Sequence, residues 1–469
     1  MTQKPAWAIE NYLDVKNGRL SVGGADCVEL AEKFETPLFV FSEARIRHNI
    51  DRLKAVERAI EMPLKICYAA KANSNMAILR TVKENGISLE TNSGGELFKA
   101  LKVGFAPQDI ILNGTSKSEE ELEQAITAGI YAIQADSLFE VELIESVARK
   151  LNKPANVSLR LVPEIQTDTL HGLQTAMLTS KFGMLAPEVL AAFRRWHNSD
   201  LLNLCGIHLH LGSQNPDGRP YAEAFLKLFE LLAQIFDETG KRLEHLNLGG
   251  GFPVNYLRDA SSAGMMTEDQ QALFAAQLEP AQVLEKAVSV VRNVAKDSGA
   301  GHLLEGLTIL LEPGRSVISD AGLVLTEVKN RKQRPLPDGT VDSWLLTDAG
   351  YNIMLSMNNY DWYYHCISAS HADAPHETKY KIAGPLCDGG DVYFDIEGTN
   401  KLPDHRLLPE NVETGEILAM LNCGAYSLAQ MFPYNGRPLP AAVLIRENSE
   451  VELIRKRDSY ELLIESDIW

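Results

Sequence analysis

The chain has 469 residues, 45% of them hydrophobic and 23% charged, which is the composition of a globular protein with material for two or three domains. Its net charge of -18 argues against nucleic acid or an anionic membrane surface as a partner. No apolar run approaches the ~18 residues that a membrane span needs, and the first residues lack a signal-peptide pattern, so we expect a cytoplasmic protein.

Short apolar runs alternate with amphipathic stretches between Leu64 and Gly314. The apolar runs predict eight strands: LKICYAAK, GISLETNS, DIILNG, YAIQAD, NVSLRLV, GIHLHLG, HLNLGGG and LTILLEPG. Apolar residues at helical spacing predict helices between them, for example Ala77–Asn85, Glu96–Val103, Glu119–Ala128 and Leu138–Leu151. Eight strand–helix units in roughly 250 residues predict an α/β fold, a parallel (β/α)8 barrel, with a doubly wound sheet as the competing architecture.

Polar residues and glycines end these runs. In order they are Lys71, Glu90 to Glu96, Asn113, Asp136, Arg160, His210, Gly249 to Gly251 and Glu312. In a barrel the C-terminal ends of the strands form one mouth, where active sites lie. The pattern therefore favours the barrel over the sheet and predicts a functional site at its mouth.

After about Gly322 strand-like runs are separated by turn-rich stretches without long helices, which predicts an antiparallel β domain. The segment Arg19–Val22 comes too early for the barrel, and we expect it to add a strand to that β domain. The predicted domains are a barrel over residues 43–321 and a β domain formed by residues 1–42 and 322–469.

Lys71 stands where the first apolar strand stops. A partly desolvated lysine amine loses its proton more readily and can form a Schiff base with an aldehyde. The alternative is a surface lysine that caps the strand. An aldehyde cofactor such as pyridoxal 5'-phosphate (PLP) would need a phosphate site and an acid opposite its pyridine nitrogen.

Both needs have candidates at later strand ends. Gly249, Gly250 and Gly251 follow the seventh run, where barrels commonly bind phosphate, and Ser213 and Arg315 could add a hydroxyl and a charge. Glu312 ends the eighth run and could keep the pyridine nitrogen protonated, although it could instead pair locally with Arg315.

His208 and His210 are two residues apart on one strand, so their side chains point the same way, as metal ligands could. No third ligand with suitable spacing accompanies them, and the six cysteines are scattered without a C-x-x-C pair. We therefore predict no metal. An imidazole stacked on a planar cofactor is the better use for His210, with His208 packed beneath it.

Ordered motifs along the chain are similar to those of the fold-type III PLP decarboxylases, the group of diaminopimelate, ornithine and arginine decarboxylases, and most of all to the diaminopimelate branch. The matching motifs are Tyr68-Ala-Ala-Lys-Ala-Asn73, Ser93-Gly-Gly-Glu96, Ser180-Lys-Phe-Gly183, His208-Leu-His-Leu-Gly-Ser-Gln214, Gly249-Gly-Gly-Phe252, Glu312-Pro-Gly-Arg315, Gly384-Pro-Leu-Cys-Asp388 and Gly424-Ala-Tyr426. The resemblance implies a barrel plus β domain, an amino-acid substrate and a head-to-tail homodimer with shared active sites.

The same resemblance implies residue roles. Lys71 resembles the Schiff-base lysine, His210 the ring that stacks on the cofactor, and Glu312 the partner of the pyridine nitrogen. The phosphate ligands implied are Ser213, Gly250, Gly251, Arg315 and, from the β domain, Tyr426. Cys387 resembles the acid that protonates the carbanion after CO2 leaves, delivered from the second subunit; taken alone, it could be a small buried hydrophobe.

Two departures concern the far end of the substrate. The stretch Asp348–Trp362 lacks the arginine with which diaminopimelate decarboxylases grip a distal carboxylate, and Asp388 replaces the usual Glu after the cysteine. We therefore expect an α-decarboxylase for a basic amino acid such as ornithine or lysine, in either hand, or for an amino-acid conjugate. Asp388, Tyr360 and Tyr434 are the expected substrate contacts.

The sequence leaves three alternatives open beside this expectation. One is a meso-diaminopimelate decarboxylase of lysine biosynthesis. Another is an amino-acid racemase, against which Glu312 argues, because alanine racemase places an arginine there. The third is a non-catalytic relative that binds a partner protein, which would be free to lose the lysine, the glycine loop or the cysteine.

Overall fold

The computed structural model describes residues 5–259, 261–396 and 402–468. These residues fall into two compact units. The barrel unit comprises Asn49–Pro253 and Gln277–Val317. The β unit comprises the chain up to His48, the segment Val254–Ala276 and the chain from Ile318 onward.

Eight parallel strands close into a barrel inside the barrel unit, which confirms the predicted fold class. The strands are Leu64–Ala69, Ser88–Thr91, Ile110–Leu112, Ala132–Ala135, Ala155–Arg160, Leu202–His208, His245–Asn247 and Thr308–Leu311. Six of them lie within one of the eight apolar runs, and the other two, Ala155–Arg160 and Leu202–His208, begin one and four residues before theirs. The first and last strands pair with Leu311 opposite Ile66, and this pairing closes the ring.

Helices follow the strands, and their ends show why they form where they do. Ser118 Oγ accepts a hydrogen bond from the Glu121 N–H, and the Glu121 carboxylate accepts one from the Ser118 N–H, so this helix starts with a capping box. Gly129 ends the same helix at a φ of 72°, a left-handed conformation that suits glycine. The α-helices of the described chain are Cys27–Phe34, Glu43–Ile60, Met76–Glu84, Gly94–Val103, Glu119–Ala128, Leu138–Leu151, Ala186–Trp196, Arg219–Thr239, Glu268–Phe274, Pro280–Asp297, Arg315–Ile318, Ser356–Asn359 and Tyr460–Leu463.

A mainly antiparallel sheet forms the centre of the β unit. Its main path runs Arg406–Leu408, Thr378–Ala383, Val341–Thr347, Gly322–Pro335, Leu38–Ser42, Ala441–Ile445 and Val451–Arg455. Ile417–Met420 also pairs with the long strand Gly322–Pro335 and carries Cys366–Ser368 on its other side. Two neighbouring pairs are parallel, and one of them joins Leu38–Ser42 to Ala441–Ile445.

Arg19–Val22 is a strand of the β unit, as expected, but it lies outside the large sheet. This strand pairs with Leu13–Lys16 and Ala25–Asp26 in a small sheet of its own, and the N-terminal strand of the large sheet is Leu38–Ser42. Leu20 and Val22 nevertheless enter the apolar core of the β unit, so burial alone could not distinguish the two arrangements.

One further difference concerns the domain division. The segment Val254–Ala276, which the sequence analysis assigned to the barrel, belongs to the β unit. Asp259 lies 3.3 Å from the His365 ring, and the Ser262 hydroxyl accepts a hydrogen bond from Tyr363 at 2.8 Å. Among the residues that the structure describes, no helix is long and apolar enough to cross a membrane.

Candidate active site

Lys71 lies at the end of the first barrel strand, within the short helical turn Ala70–Ala72. Its Nζ donates to Glu90 Oε2 at 2.9 Å, and the Lys71 side chain is 38% exposed whereas that of Glu90 is fully buried. Burial raises the pKa of Glu90 to about 7, although the Lys71 charge opposes the shift. The lysine amine is therefore accessible to solvent and is hydrogen-bonded to a carboxylate that titrates near neutral pH.

Glu312 is the second buried carboxylate at the mouth, with only 4% of its surface exposed. Asn247 Nδ2 donates to its Oε1 at 2.7 Å, and Asn113 Nδ2 donates to its Oε2 at 3.1 Å. The His208 ring also lies 3.3 Å from Oε2. Burial opposes ionisation of Glu312, but the His208 ring beside it and the Lys71 charge prevail and hold its pKa below the ordinary range. It is therefore a fixed anion.

Asn113 joins the two carboxylates. Its amide nitrogen also donates to Glu90 Oε1 at 2.7 Å, so one amide group bridges Glu90 and Glu312. The Asn247 amide has its orientation set by the backbone, because its oxygen accepts from the Gly249 N–H at 2.9 Å. Only its nitrogen can then face Glu312.

The glycine run after the seventh strand packs tightly against neighbouring backbone. A Cβ at Gly250 would lie 2.2 Å from the Glu312 carbonyl oxygen, and one at Gly251 would lie 2.4 Å from the Gly212 carbonyl. Gly249 and Gly251 have φ angles of 65° and 97°, which side chains disfavour. Only glycine fits this turn, and its backbone N–H groups can approach a phosphate closely.

Ser213 and Arg315 meet beside that turn. Arg315 Nε donates to Ser213 Oγ at 3.1 Å, and the guanidinium is mostly buried. The partners of Glu312 come from the strand ends, so the local Glu312–Arg315 pair considered above is not what the structure has. The arrangement gives one hydroxyl and one cation next to the glycine turn, which is suitable chemistry for a phosphate.

His210 follows the sixth strand and is half-buried. Its Nδ1 accepts from the Gly250 N–H at 3.1 Å, so the other ring nitrogen carries the proton. Burial, together with the charges of Lys71 and Arg160, lowers the pKa of His210 to about 3. The ring is neutral at physiological pH, as a stacking partner for a planar cofactor should be.

Cys387 lies in the β unit, on an exposed loop. It is the one exposed cysteine of the six. Its backbone N–H donates to Asn435 Oδ1 at 2.7 Å. The next residue, Asp388, accepts from the Tyr351 hydroxyl at 2.8 Å and from the Gly390 N–H at 2.8 Å. The Gly390 N–H, then the Tyr351 and Tyr434 hydroxyls, lower the pKa of Asp388, which keeps it ionised.

Tyr434 lies beside Asp388, and its contact with substrate stays a prediction. The hydroxyl 2.8 Å from the Asp388 carboxylate belongs to Tyr351, which the sequence analysis did not single out. Tyr360 follows the short helix Ser356–Asn359 and is half-buried. Tyr426 has a φ of 57° and is half-buried within the β unit, and its contact with phosphate stays a prediction.

Sequence reasoning also missed the partners that hold the acids in place. Glu90 and Asn113 were noted only as strand ends, and Asn247 was not noted at all. The sequence did carry a signal for Glu90 and Asn113, because a polar residue that ends a buried apolar strand must find a hydrogen-bonding partner at the mouth. Within the described ranges no cluster of three or more His, Cys, Asp or Glu side chains is arranged to bind a metal ion.

Comparisons with known proteins agree with this geometry. The family described as "Pyridoxal-dependent decarboxylase, pyridoxal binding domain" matches residues 46–319. The chain belongs to this family. It is 33% identical to the diaminopimelate decarboxylases of Methanocaldococcus jannaschii, covering 97% of this chain and 96% of the relative, and of Aquifex aeolicus, covering 97% of each.

Solved structures give the same result. The crystal structure of the Methanocaldococcus jannaschii diaminopimelate decarboxylase superposes with a TM-score of 0.84 at 32% identity, with 98% of both chains covered. A second structure of that enzyme is a co-complex with L-lysine and has the same score. A lysine/ornithine decarboxylase from Vibrio vulnificus, 20% identical with a TM-score of 0.69, shares the fold.

Family membership makes the protein a PLP-dependent amino-acid decarboxylase, a carboxy-lyase, and decides against the racemase and non-catalytic alternatives. The described residues fit the cofactor. The mouth combines a lysine amine, a fixed anion, a neutral imidazole and a glycine turn that no side chain could enter.

Proposed function

We propose that this decarboxylase acts best on a basic amino acid with a distal ammonium, such as ornithine or lysine, rather than on meso-diaminopimelate. The observation that carries the proposal is the Asp388 carboxylate, which Tyr351 and Gly390 hold next to Cys387. An ionised carboxylate at the far end of a substrate site attracts an ammonium and repels a second carboxylate.

The surroundings of Asp388 support a cationic ligand. The rings of Tyr351 and Tyr434 lie 6.2 Å apart, and Phe432 lies 6.2 Å from Tyr351 and 6.3 Å from Tyr434. Aromatic faces next to a carboxylate favour an ammonium through cation–π attraction. This aromatic group, formed by Tyr351, Phe432 and Tyr434, would also limit the chain length that fits in front of Asp388.

The stretch Asp348–Trp362 gives the second support, because it contains no arginine. A distal carboxylate would lose a bidentate guanidinium contact there, a loss worth roughly 2–5 kcal/mol. That difference is large enough to reverse a preference between two substrates.

The barrel mouth supports the cofactor roles predicted above. We assign Lys71 as the covalent anchor of PLP and Glu312 as the carboxylate facing its pyridine nitrogen. His210 is assigned to the face of the ring. PLP, when bound, supplies the sink for the electron pair that the departing CO2 leaves behind. Asn113 and Asn247 fix the position of Glu312, so its charge needs no rearrangement during the reaction.

The phosphate is assigned to Ser213, Gly250, Gly251 and Arg315. The tight glycine turn next to a buried, serine-bound guanidinium supports this assignment. Gly249 shapes the turn through its positive φ, and Tyr426 is proposed as a further phosphate ligand from the β unit.

Cys387 is proposed as the proton donor that completes the reaction. Its exposure supports a role in which it acts on a substrate held by another chain, so we propose a homodimer with shared sites. The other five cysteines are buried, and burial raises the pKa of Cys67, Cys205 and Cys366, so they are inert as acids near neutral pH.

A second candidate substrate is meso-diaminopimelate. The relatives that match over the whole chain are named diaminopimelate decarboxylases, and Arg437 offers a cation in the same region. Arg437 follows the Tyr434–Gly436 turn, donates to the Pro385 carbonyl at 2.9 Å and lines one cleft of about 820 Å³ with Cys387. It could replace the missing arginine.

The proposal is tested by steady-state CO2 release, measured for wild type and Asp388→Asn. The substrates are L- and D-ornithine, L- and D-lysine and meso-diaminopimelate. We expect Asp388→Asn to lower kcat/KM for the basic amino acids at least 10-fold and to affect meso-diaminopimelate much less. Asp342→Asn, which removes an equal charge from the Lys381 ion pair in the same unit, is the control. Equal losses for all substrates in the Asp388 variant, with meso-diaminopimelate the best wild-type substrate, would refute it.

A further inference from the structure

The loop of residues 384–391, which carries Cys387, ends in a buried carboxylate. Asp391 is 2% exposed. Its Oδ1 accepts from the Tyr351 N–H at 2.9 Å and its Oδ2 accepts from the Leu386 N–H at 2.8 Å. One carboxylate thus ties together two chain segments that are far apart in sequence.

Those two segments carry the groups assigned to the substrate. Leu386 directly precedes Cys387, and Tyr351 donates its hydroxyl to Asp388. The backbone of Asp391 adds two more bonds within the loop, because its carbonyl accepts from the Gly384 N–H at 2.9 Å and its N–H donates to the Asp388 carbonyl at 3.2 Å. Side-chain and backbone hydrogen bonds of Asp391 therefore hold the loop in its conformation.

Two glycines make room for the carboxylate. A Cβ at Gly384 would lie 2.3 Å from Asp391 Oδ2, and a Cβ at Gly350 would lie 2.8 Å from both carboxylate oxygens. Any larger residue at either place would displace Asp391. The glycines stand in the Gly384-Pro-Leu-Cys-Asp388 and Asp348-Ala-Gly350 segments, so the packing links both motifs to one buried acid.

We propose that Asp391 is a positioning residue that fixes Cys387 and the Tyr351–Asp388 pair relative to each other. Its catalytic consequence rests on the proposed role of Cys387, whereas the positioning itself does not. Burial, with the like charge of Asp388, raises the pKa of Asp391 to about 6 against the pull of its two N–H donors and Arg437. The carboxylate is ionised at neutral pH and accepts both bonds.

An asparagine has the same shape but only one acceptor oxygen. In Asp391→Asn the amide nitrogen would face either the Tyr351 or the Leu386 N–H, and two donors in contact repel. The variant therefore breaks one of the two ties without leaving a cavity. Asp342→Asn is the matched control. It removes one carboxylate charge in the same unit, from a residue that pairs with Lys381 and His405 instead of holding the loop.

The experiment measures the rate of Cys387 alkylation by iodoacetamide in the holoenzyme, with mass spectrometry of the modified peptide. Cys387 is the one exposed cysteine, so this rate reports the loop directly. We expect Asp391→Asn to change the rate at least 5-fold and to lower kcat/KM at least 10-fold, with both unchanged in Asp342→Asn. A wild-type alkylation rate in a folded Asp391→Asn protein would overturn the positioning role.

If Asp391→Asn changes the alkylation rate but leaves turnover normal, the positioning role of Asp391 is supported and the proposed catalytic role of Cys387 is refuted. Hydrogen exchange on the wild-type holoenzyme gives a test that does not depend on the folding of a variant. The Tyr351 and Leu386 amides should exchange at least 100-fold more slowly than the neighbouring amide of Gly389. Exchange at equal rates would overturn the proposal.

Discussion

The barrel mouth and the Cys387 loop both hold a buried carboxylate, but they hold it in different ways. At the mouth, Glu312 is fixed by side-chain amides from other strand ends. In the loop, Asp391 is fixed by two backbone N–H groups. A site made of matched side chains tolerates little change, whereas a loop held through its backbone can change its exposed side chains. This difference leads us to expect that substitutions at the mouth are tolerated less well than substitutions of the exposed side chains of the loop.

The largest loss of activity is expected from a substitution at the barrel mouth. Lys71→Ala should abolish turnover and the covalent attachment of PLP, because the variant removes the amine that rests on Glu90. Borohydride reduction of the holoenzyme followed by peptide mapping should place the cofactor on Lys71 in wild type only. A covalent adduct on another lysine would show that the mouth is not the anchoring site.

A smaller loss is expected from Glu312→Gln. The neutral side chain keeps its shape but no longer holds the pyridine nitrogen protonated, so PLP should still bind while kcat falls roughly 10²–10³-fold. The loss should be in kcat more than in KM, as expected for an interaction that matters mainly in the transition state. Near-normal kcat at full PLP occupancy would remove Glu312 from this role.

Mixed dimers test whether the barrel mouth of one chain works with the Cys387 loop of another. If a site combines Lys71 of one chain with Cys387 of another, a heterodimer of Lys71→Ala and Cys387→Ala has one site with both native residues. We expect such heterodimers to recover up to about half of the wild-type activity, and neither homodimer to show more than a trace. Verified heterodimers without recovery would mean that each chain completes its own site.

The smallest expected effect concerns stability at the mouth. Because the pKa of Glu90 is about 7 when folded and ordinarily 4.5, its ionised form costs stability above pH 7 and costs nothing below about 4.5. Glu90→Gln should raise the free energy of unfolding of the cofactor-free protein by about 1–3 kcal/mol at pH 8, and the gain should fade toward pH 4.5.

Denaturant unfolding at both pH values measures this gain, with the exposed Glu84→Gln as the control that should show none. A Glu90→Gln variant that is less stable than wild type at pH 8 would mean that the ion pair with Lys71 outweighs the cost of burial.

Much of the barrel could be predicted from sequence, because each strand is an apolar run that stops at a polar residue or glycine. Arg19–Val22 was correctly predicted to join the β domain, but the sheet it belongs to could not be predicted, because an apolar strand can be buried in either of two sheets and only pairing decides. The partners of the acids were harder. Asn247 bonds Glu312, which is 65 residues away, and Tyr351 bonds Asp388 across 37 residues, so no local pattern reveals either pair.

The substrate assignment is tested most directly by competition. Equimolar L- and D-ornithine, L- and D-lysine and isotopically labelled meso-diaminopimelate, offered together, compete in proportion to their kcat/KM values. Mass spectrometry of the products should show putrescine or unlabelled cadaverine in excess over the sum of labelled lysine and the labelled cadaverine formed from it. An excess of labelled lysine would contradict the account and would direct attention to Arg437 as the cation that replaces the missing arginine.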